Sequence, residues 1–455
     1  MTLPAELTPE CLAEQSSRGP RYTSYPPATE FAPIDTARVV RELATVQCEG
    51  APVSLYVHVP FCRSLCWYCG CNVIPSRDTS RGEHYVDVLA TELALLAGSL
   101  GVGFPVAEIA LGGGSPNFLT PRSLRTLKTA IDRSFTVQKT ARLSVELDPR
   151  DTTATQIDTF ADVGFRVLSV GVQDFSTRVQ DAIHRHQTLA QTGWLIERAR
   201  AAGFTDVNVD MVYGLPRQHE SSFLATLESV IGLGPDRIAL FGYAHLPDRL
   251  PHQRLVEKAG RVLDRYERAT LLLLAIEKLT NAGYIHLGLD HFAKPGSALA
   301  RAAAAKRMVR TFQGYVEHRA DTLLGLGTSA ISSTPRMYWQ NFGDLAPWED
   351  AIGAQRLPVQ RGAELDADDR IRRTLIERLM CDGEADLDQL ESRFGIAPLD
   401  YFARELERLA AEPALANLDR HTIRTTPLGK LLVRNVCMMF DRYHREDASK
   451  FSTTI

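Results

Sequence analysis

The stretch VSLYVHVPFCRSLCWYCGCN, residues 53–72, decides the fold and carries the most unusual chemistry in the chain. Its first seven residues, rich in β-branched and aromatic side chains, are typical of a buried β-strand. The loop that follows places four thiols within ten residues, at Cys62, Cys66, Cys69 and Cys71. In barrels of parallel strands the reactive groups lie on the loops after the strands. We therefore expect a first parallel strand followed by the loop that carries the site.

Five more strand candidates lie further along the chain, each followed by a polar or glycine-rich turn and then by a helical pattern. They are EIALG from Glu108, LSVEL from Leu143, VLSVGV from Val167, VNVDMVYG from Val207 and RIALFGY from Arg237. Together with the first strand they make six βα units. The sequence therefore predicts the α/β class, with a partial (β/α)6 TIM-like barrel.

A chain of 455 residues is longer than one hydrophobic core usually supports. We expect an N-terminal segment over residues 1–50 that contributes to the active site, a barrel over 51–354 and a C-terminal domain over 355–455. Within the last part, residues 355–367 are loop-like, residues 368–380, 387–394 and 401–411 are helical, and a hairpin lies around 419–425. This pattern predicts a small, mostly helical, winged-helix-like domain.

Composition and charge argue against several functions. A formal charge of -4 with 23% charged residues lacks the basic excess of a nucleic-acid-binding protein. The winged-helix-like part is rich in acids, so we expect it to be structural or a lid. The start MTLPAELTPECLAEQ lacks the features of a signal peptide, and no window is long and apolar enough to span a bilayer. We expect a cytoplasmic protein with no membrane partner, in which clustered thiols bind metal.

The spacing CxxxCxxC of Cys62, Cys66 and Cys69 suits an iron-sulfur cube. Each thiolate can bind a different iron of a [4Fe-4S] cluster, which leaves the fourth iron open for chemistry. The alternative is a zinc knot that also uses Cys71, although ligands one residue apart strain a tetrahedral site. The remaining cysteines are scattered singly along the chain, and core or surface positions explain them best.

These motifs resemble the radical S-adenosylmethionine (SAM) superfamily, and further segments resemble its oxygen-independent coproporphyrinogen III oxidase family. The segments run in the family's order from residue 19 to the end of the chain: GPRYTSYP, HVPFCRSLCWYCGCN, GVQDF, YGLP, YAHLP, DHFA, FQGY and RNVCMMFD. The resemblance implies an oxygen-sensitive [4Fe-4S] cluster held by Cys62, Cys66 and Cys69. It also implies two SAM molecules per chain.

For the SAM on the cluster, the resemblance implies four contact residues, which are Tyr56, Gly113, Glu146 and Ile331. Plainer interpretations exist for two of them. A triple glycine such as residues 112–114 often makes only a tight turn, and an acidic residue at a strand end is often a helix cap. Glycines also let backbone amides approach a ligand closely, and a carboxylate can accept hydrogen bonds from a ribose or an ammonium group.

For the second SAM, the resemblance implies a further set, which is Tyr68, Gly114, Ser115, Gln173, Arg185, Asp210 and Ala244. The alternative is that Gln173 and Asp210 only fill the polar top of the barrel. Asp210 lies in a strand otherwise made of apolar residues, where an unpaired carboxylate is costly. A cationic partner such as Arg185, or a sulfonium group, relieves that cost.

The activity implied by the resemblance is the oxidative decarboxylation of two propionate side chains of coproporphyrinogen III to vinyl groups, which gives protoporphyrinogen IX. A SAM-derived radical takes a hydrogen atom from each propionate, and carbon dioxide and one electron then leave. We expect a reduced flavodoxin or ferredoxin as electron donor, and a monomer. From the residues alone, Arg21 is either a guanidinium that holds a substrate propionate or a surface arginine.

Two competing functions remain open on the sequence. The first is a heme-binding or heme-delivering paralogue of the same superfamily, although such paralogues usually lack the Gly70-Cys71-Asn72 continuation and the N-terminal GPRYTSYP segment, and both are present here. The second is a zinc-stabilised regulatory protein with a winged-helix reader. Iron and sulfide analysis separates the second from an enzyme.

Overall fold

The structure is a computed structural model that describes residues 7–317, 320–419, 421–445 and 451–455. The first six residues of the predicted N-terminal segment therefore lie outside the described residues. In the part of the chain that is described, no helix is long and apolar enough to cross a membrane.

The strands are numbered in chain order. They are β1 Ala32–Pro33, β2 Val53–Val59, β3 Phe61–Cys62, β4 Ile74–Pro75, β5 Phe104–Gly113, β6 Phe135–Leu147, β7 Val167–Gln173, β8 Asp206–Tyr213, β9 Arg237–Gly242, β10 Ile285–Gly288, β11 His291–Ala293, β12 Val309–Thr311, β13 Gly314–Val316, β14 Leu323–Leu326, β15 Ile331–Ser333, β16 Met337–Asn341, β17 Val359–Glu364, β18 Glu384–Asp386, β19 Ala416–Asp419 and β20 Thr422–Thr425.

The helices are numbered in the same way. They are α1 Pro9–Gln15, α2 Thr36–Glu49, α3 Ser80–Leu100, α4 Pro121–Ser134, α5 Ala154–Asp162, α6 Thr177–Ile183, α7 Leu189–Ala201, α8 Glu220–Leu233, α9 Arg254–Ala259, α10 Arg265–Asn281, α11 Ala298–Ala304, α12 Leu345–Gly353, α13 Ala367–Asp382, α14 Leu387–Phe394, α15 Pro398–Tyr401, α16 Ala403–Ala410, α17 Pro427–Leu431 and α18 Val433–Met439. Short 3-10 turns cover Ala28–Glu30, Pro116–Phe118 and Pro251–Gln253.

One large sheet forms the centre of the molecule, in the strand order β1-β17-β16-β15-β14-β2-β5-β6-β7-β8-β9-β11-β10. All six predicted strands pair in parallel, in chain order from β2 to β9. The partial barrel is therefore confirmed, and it is not closed, because β1 and β10 are edge strands. A seventh parallel strand, β14, pairs with β2, and the strands beyond it are antiparallel.

The helices that connect the parallel strands begin at local capping signals in the sequence. Thr153 precedes α5, where its side chain accepts a hydrogen bond from the Gln156 amide at 3.3 Å. Gln156 returns the contact by accepting from the Thr153 amide at 3.0 Å. Such a reciprocal cap satisfies two amides that the first helical turn leaves unpaired. The helix start fixes the direction in which the chain leaves the carboxyl end of β6.

The loop-like interpretation of residues 355–367 is wrong. Residues Val359–Glu364 form β17, which pairs antiparallel with β16 and also with the short N-terminal β1. A six-residue strand with mixed exposed and buried positions has a weak periodic signal, and one of its two partners, β1, lies far away in the sequence. The division into segments 1–50, 51–354 and 355–455 stays a prediction, and this strand ties the large sheet to residues on both sides of it.

The C-terminal part contains helices α13, α14 and α16 with a three-stranded antiparallel sheet in the order β18-β20-β19. The predicted helices and the hairpin near residues 419–425 are therefore present, and the hairpin gains a third strand. This is the helix and small-sheet composition of a winged-helix-like domain. Arg434 on α18 ties it to the N-terminal segment by donating to the Pro20 carbonyl at 2.8 Å.

Candidate active site

A pocket of about 770 Å³ opens where the parallel strands end. A volume of this size is ordinary for a small-molecule or cofactor site. Most of the predicted site residues line it, namely Arg21, Cys62, Cys66, Tyr68, Cys69, Gly113, Gly114, Ser115, Glu146, Gln173, Arg185, Asp210 and Ala244. The fold thus brings together residues that are more than 220 positions apart in the chain.

The cysteine loop is fixed by hydrogen bonds from the far side of the pocket. The Gln253 side chain donates to the Tyr68 carbonyl at 3.0 Å, and His252 lies 2.7 Å from the Cys69 carbonyl. The Trp67 amide donates to the Ile183 carbonyl at 3.0 Å. These contacts come from two separate elements, the 3-10 turn Pro251–Gln253 and helix α6, and they hold the loop with its thiols toward the pocket.

The three thiols of Cys62, Cys66 and Cys69 are free and face one pocket. Across the described ranges, no group of three or more His, Cys, Asp or Glu side chains is placed to hold a single metal ion. A [4Fe-4S] cube binds each thiolate at a different iron, so its ligands stand further apart than those of one ion. The donor set fits the cube.

Two guanidinium groups flank the most buried of these thiols. Arg185 Nη1 and Arg150 Nη2 each lie 3.5 Å from the Cys66 sulfur. The same two side chains donate to the Asp148 carboxylate, at 2.9 Å from Arg185 and 2.7 Å from Arg150. Burial alone raises the pKa of Asp148, but the two cations outweigh it and hold that pKa at about 2. The positive charge beside the cysteine suits a thiolate ligand.

The loop thiols differ in acidity because their surroundings differ. Burial raises the pKa of Cys62 to about 12. A hydrogen bond involving Cys71 lowers the pKa of Cys69 to about 7. Cys71 therefore lies next to a predicted cluster ligand, and its side chain interacts with that ligand's sulfur.

The glycines of residues 112–114 pack against the cysteine loop and the acid behind it. A Cβ at Gly114 would lie 2.7 Å from the Phe61 carbonyl oxygen, and one at Gly112 would lie 2.9 Å from the Glu146 carboxyl. Gly113 has a φ of +114° and touches the His58 ring in the same way. This close approach gives the triplet a structural reason, because a side chain at any of the three positions would collide with its neighbours.

Glu146 lies on β6, and no ion pair joins it to a cation among the described residues. Burial and the neighbouring Asp210 raise its pKa to about 7, although the Gly113 amide and the Gln313 side chain donate to it. Tyr56 lies on β2, where its hydroxyl is 3.2 Å from His58 Nδ1. Tyr56 is outside the pocket lining. Glu146 is thus a buried acceptor that lines the pocket.

Asp210 has partners other than the expected one. Its carboxylate accepts hydrogen bonds from Ser169 at 2.9 Å and from Asn208 at 2.7 Å. The cationic partner named from the sequence, Arg185, is instead bonded to Asp148. No hydrogen bond joins Arg185 to Asp210 among the described residues, because the Arg185 side chain turns toward the cysteine loop, although its charge still offsets part of the rise in pKa that burial causes at Asp210. The sulfonium alternative stays a prediction.

The remaining predicted residues take different positions. Gln173 ends β7 with a φ of +68°, an uncommon conformation for a residue with a side chain, and it lines the pocket. The Ser115 hydroxyl donates to the Asn117 side chain. Ile331 lies on β15, packed against a small cluster that contains Phe31 and Tyr338. Ile331 is therefore outside the pocket lining, and its role as an apolar wall stays a prediction.

Three polar residues of the site escaped the sequence reasoning, namely Arg150, Ser169 and Asn208. The last two hold Asp210, and the signal for Asn208 was its place two residues before the acid on the same strand, where side chains share a face. Ser169 lies on a different strand, and a sequence pattern does not name a partner across a sheet. Arg150 had a local signal, since it follows Asp148 by two residues.

The family models that match the chain agree with this architecture. Residues 56–230 match the Radical SAM superfamily, and residues 365–432 match the HemN C-terminal domain. The first range spans the cysteine loop and the strands from β2 to β8. The second covers the helices and the small sheet of the C-terminal part.

Close relatives cover nearly the whole chain. The oxygen-independent coproporphyrinogen III oxidases of Pseudomonas aeruginosa and Escherichia coli are each 38% identical to it, over 93% and 96% of both chains respectively. The chain belongs to the oxygen-independent coproporphyrinogen III oxidase family. A solved structure of coproporphyrinogen III oxidase (HemN) from Escherichia coli, described as a radical SAM enzyme, superposes with a TM-score of 0.89 at 37% identity. That match covers 93% of this chain and 98% of the other. This coproporphyrinogen III oxidase family member therefore shares the partial barrel and the C-terminal domain of its relative.

Proposed function

We propose that this chain catalyses the oxidative decarboxylation of two propionate side chains of coproporphyrinogen III to vinyl groups, giving protoporphyrinogen IX. Family membership supports this, since the relatives that match over nearly their full length are named for that oxidase. The observation that carries the proposal is the convergence of Cys62, Cys66 and Cys69 with Arg21, Glu146 and Asp210 on one pocket. The same match favours an oxidase over a heme-delivering carrier.

The cofactors are a [4Fe-4S] cluster and SAM, which supply the one-electron chemistry that removes a hydrogen atom from each propionate. For each propionate, one electron enters to cleave SAM, and carbon dioxide and one electron leave with the vinyl group formed. Cys62, Cys66 and Cys69 hold three irons, and Arg150 and Arg185 balance the thiolate charge. The protein's share is therefore placement, charge balance and exclusion of water.

Two sets of residues would contact SAM in this proposal. Tyr56, Gly113, Glu146 and Ile331 would contact the SAM bound to the cluster, although Tyr56 and Ile331 lie outside the lining of the main pocket. The second SAM would be contacted by Tyr68, Gly114, Ser115, Gln173, Arg185, Asp210 and Ala244. Two buried acids, Glu146 and Asp210, suit molecules that carry an ammonium, a sulfonium and ribose hydroxyls, because neither carboxyl is hydrogen-bonded to an arginine among the described residues.

We further propose that the chain works as a cytoplasmic monomer and takes electrons from a reduced flavodoxin or ferredoxin. A 4Fe-4S cluster in a radical SAM site needs a low-potential donor.

The experiment is an anaerobic incubation of the iron-loaded protein with SAM, a reductant and coproporphyrinogen III, followed by porphyrin analysis. We expect conversion to protoporphyrinogen IX with two SAM cleaved per product. Iron bound without any conversion, together with tight and stable heme binding, would favour the carrier. Zinc in place of iron and sulfide would overturn both the oxidase and the carrier function.

Arg21 is the proposed contact to a substrate propionate. Its Nη2 donates to the Gly242 carbonyl at 3.0 Å, and its Nη1 lies 3.4 Å from Asp290, at the edge of the pocket. The side chain is one-third exposed, so a planar group entering from the barrel mouth can reach it. Arg21→Ala should raise the apparent Michaelis constant for coproporphyrinogen III while SAM cleavage without substrate continues.

A further inference from the structure

One buried glutamine lies directly behind the wall of the main pocket. Gln253 ends the short 3-10 turn Pro251–Gln253, and the residue is 0% exposed. It is not among the described residues that line the pocket, so its side chain does not face a ligand there. Any effect of Gln253 on the pocket therefore passes through the residues to which it is hydrogen-bonded.

The three hydrogen-bond partners of the Gln253 side chain all line the pocket. Its Nε2 donates to the Tyr68 carbonyl at 3.0 Å and to the Ala244 carbonyl at 3.1 Å. Its Oε1 accepts from the Leu246 amide at 2.6 Å. Tyr68, Ala244 and Leu246 each line the main pocket. A side-chain amide has two N–H donors and one carbonyl oxygen, so Gln253 uses both donors and its oxygen on the pocket wall.

These partners belong to two different walls of the pocket. Tyr68 lies in the cysteine loop, whereas Ala244 and Leu246 follow the end of β9 at Gly242. The Leu250 side chain, just before the turn, also packs on the cysteine loop, where it lies 3.8 Å from the place of a Cβ on Gly70. Gln253 therefore fixes the spacing between the cysteine loop and the segment that follows β9.

We propose that Gln253 is the positioning residue of the second SAM site. Tyr68 and Ala244 both belong to the set proposed to contact the second SAM, and the Gln253 amide joins their carbonyls. The inference rests on the proposed function, which supplies SAM as the ligand. A wall that is already held in place needs less ordering when a ligand binds, so affinity rises. Gln253 thus acts on SAM through the two backbone segments that it connects.

A purely structural role is the alternative, since buried polar groups are hydrogen-bonded wherever they occur. Gln218 provides a matched control, because it is 4% exposed and also accepts one bond and donates two. Its Oε1 accepts from the Leu215 amide at 2.9 Å, and its Nε2 donates to the Val212 carbonyl at 2.8 Å. The same Nε2 donates to the Asp174 carboxylate at 2.7 Å. These three partners lie outside both proposed SAM sets.

The experiment counts the SAM bound to anaerobically prepared holoenzyme for the wild type, Gln253→Met and Gln218→Met. Equilibrium dialysis with radiolabelled SAM gives the number of sites and their dissociation constants, and the spectral response of the reduced cluster reports the first SAM. Methionine keeps the length of the side chain and removes its donors. Gln253→Met should weaken the second SAM at least tenfold, because three hydrogen bonds are lost and each contributes about a factor of two to ten.

The iron content and the first SAM should stay as in the wild type in Gln253→Met, because the cluster ligands are unchanged. Gln218→Met should lose stability to a similar extent in urea unfolding, since it also leaves buried polar groups unpaired. It should nevertheless keep both SAM molecules. This difference separates positioning of the second site from a general loss of stability.

A second variant and one measurement on the wild type cover the case in which Gln253→Met does not fold. Gln253→Asn keeps the amide but is one methylene shorter, so it does not reach all three partners, and it should also weaken the second SAM. In the wild type, SAM is raised from the concentration that fills the first site to the one that fills both. Deuterium exchange of the Leu246 amide should then slow, because its bond to Gln253 opens less often.

Several outcomes overturn the proposal. These are wild-type affinity for both SAM molecules in the Gln253 variants, an equal loss of the second SAM in Gln218→Met, unchanged exchange of the Leu246 amide, and a wild type that binds only one SAM. Porphyrin analysis of the same samples tests the proposed function separately. The expected SAM binding without conversion of coproporphyrinogen III by the wild type would count against that function and leave Gln253 in its role.

Discussion

Arg185 Nη1 donates to the Asp148 carboxylate at 2.9 Å, and the same nitrogen lies 3.5 Å from the Cys66 sulfur. One buried guanidinium thus joins an acid at the end of β6 to the middle cysteine of the loop. Arg150 makes the same two contacts from the other side. The cysteine loop is therefore attached to the barrel through charge as well as through its backbone.

Asp148→Asn should lower the free energy of unfolding by about 3–5 kcal/mol, because it leaves two buried guanidinium groups without their anion. Urea unfolding under anaerobic conditions measures the change. Asp158→Asn is the control, since its ion pair with Arg198 is exposed and should contribute at most about 1 kcal/mol. Equal effects of the two substitutions would show that the buried acid is not needed to balance the arginines.

Cys62→Ala, Cys66→Ala and Cys69→Ala should each abolish the cluster, since a cube with two protein ligands is poorly held. Cys71→Ala should keep close to wild-type iron, because Cys71 contacts the Cys69 sulfur and is not needed as a ligand. Iron and sulfide analysis of anaerobically purified protein measures the result, with the exposed Cys48→Ala on α2 as control. Loss of iron in Cys71→Ala with retention in Cys69→Ala would reverse the assignment.

Asp210→Asn should reduce bound SAM from two molecules per chain to one, because it removes a buried negative charge whose hydrogen-bond donors, Ser169 and Asn208, are neutral. The iron content and the spectral response to the first SAM should stay as in the wild type. Conversion of coproporphyrinogen III should fall at least tenfold, in line with the loss of one charge-assisted contact. Arg185→Ala should behave similarly, with a further loss of stability because it also serves Asp148.

The measurement for that prediction is equilibrium binding of SAM to the iron-loaded protein, together with porphyrin analysis. Asp181→Asn is a matched control, since this acid is exposed and bonds only the exposed His186 among the contacts described. A wild-type protein that binds only one SAM, or an Asp210→Asn variant with normal conversion, would contradict the second SAM site. Gln173 and Asp210 would then only fill the polar top of the barrel.

Stability should also depend on pH through Glu92, which lies on α3. Its buried carboxyl accepts hydrogen bonds from the Gly327 amide at 2.8 Å and from Asn341 at 2.7 Å, yet burial raises its pKa from 4.5 to about 7. The folded chain therefore keeps a proton that the unfolded chain loses near pH 4.5. The protonated Glu92 therefore adds about 3 kcal/mol to the free energy of unfolding. This contribution is fully present below pH 4.5 and is lost as the pH rises to about 7.

Glu92→Gln isolates this effect, because the amide does not titrate. The difference in unfolding free energy between wild type and variant should fall by about 3 kcal/mol between pH 4.5 and pH 8. Urea unfolding at both pH values gives the difference, and subtraction removes the other titrating groups. A difference that is the same at both pH values would mean that Glu92 ionises in the folded chain as it does in the unfolded one.

The sequence by itself determined the six parallel strands and the cysteine loop, because hydrophobic periodicity and the spacing CxxxCxxC are local properties of the chain. It also supplied most of the pocket lining, since the ends of parallel strands meet at one edge of a sheet. Residue type and position after a strand were enough to predict these pocket residues.

Only the tertiary structure decided which charged groups pair and where the sheet ends. Arg185 is paired with Asp148 and not with Asp210, because the direction of its side chain decides which of the two acids it reaches. The pairing of β17 with β1 was hidden because β1 lies more than 300 residues earlier. Ion pairs and strand pairs between distant segments depend on how the chain folds back on itself, and this leaves no periodic signal in the sequence.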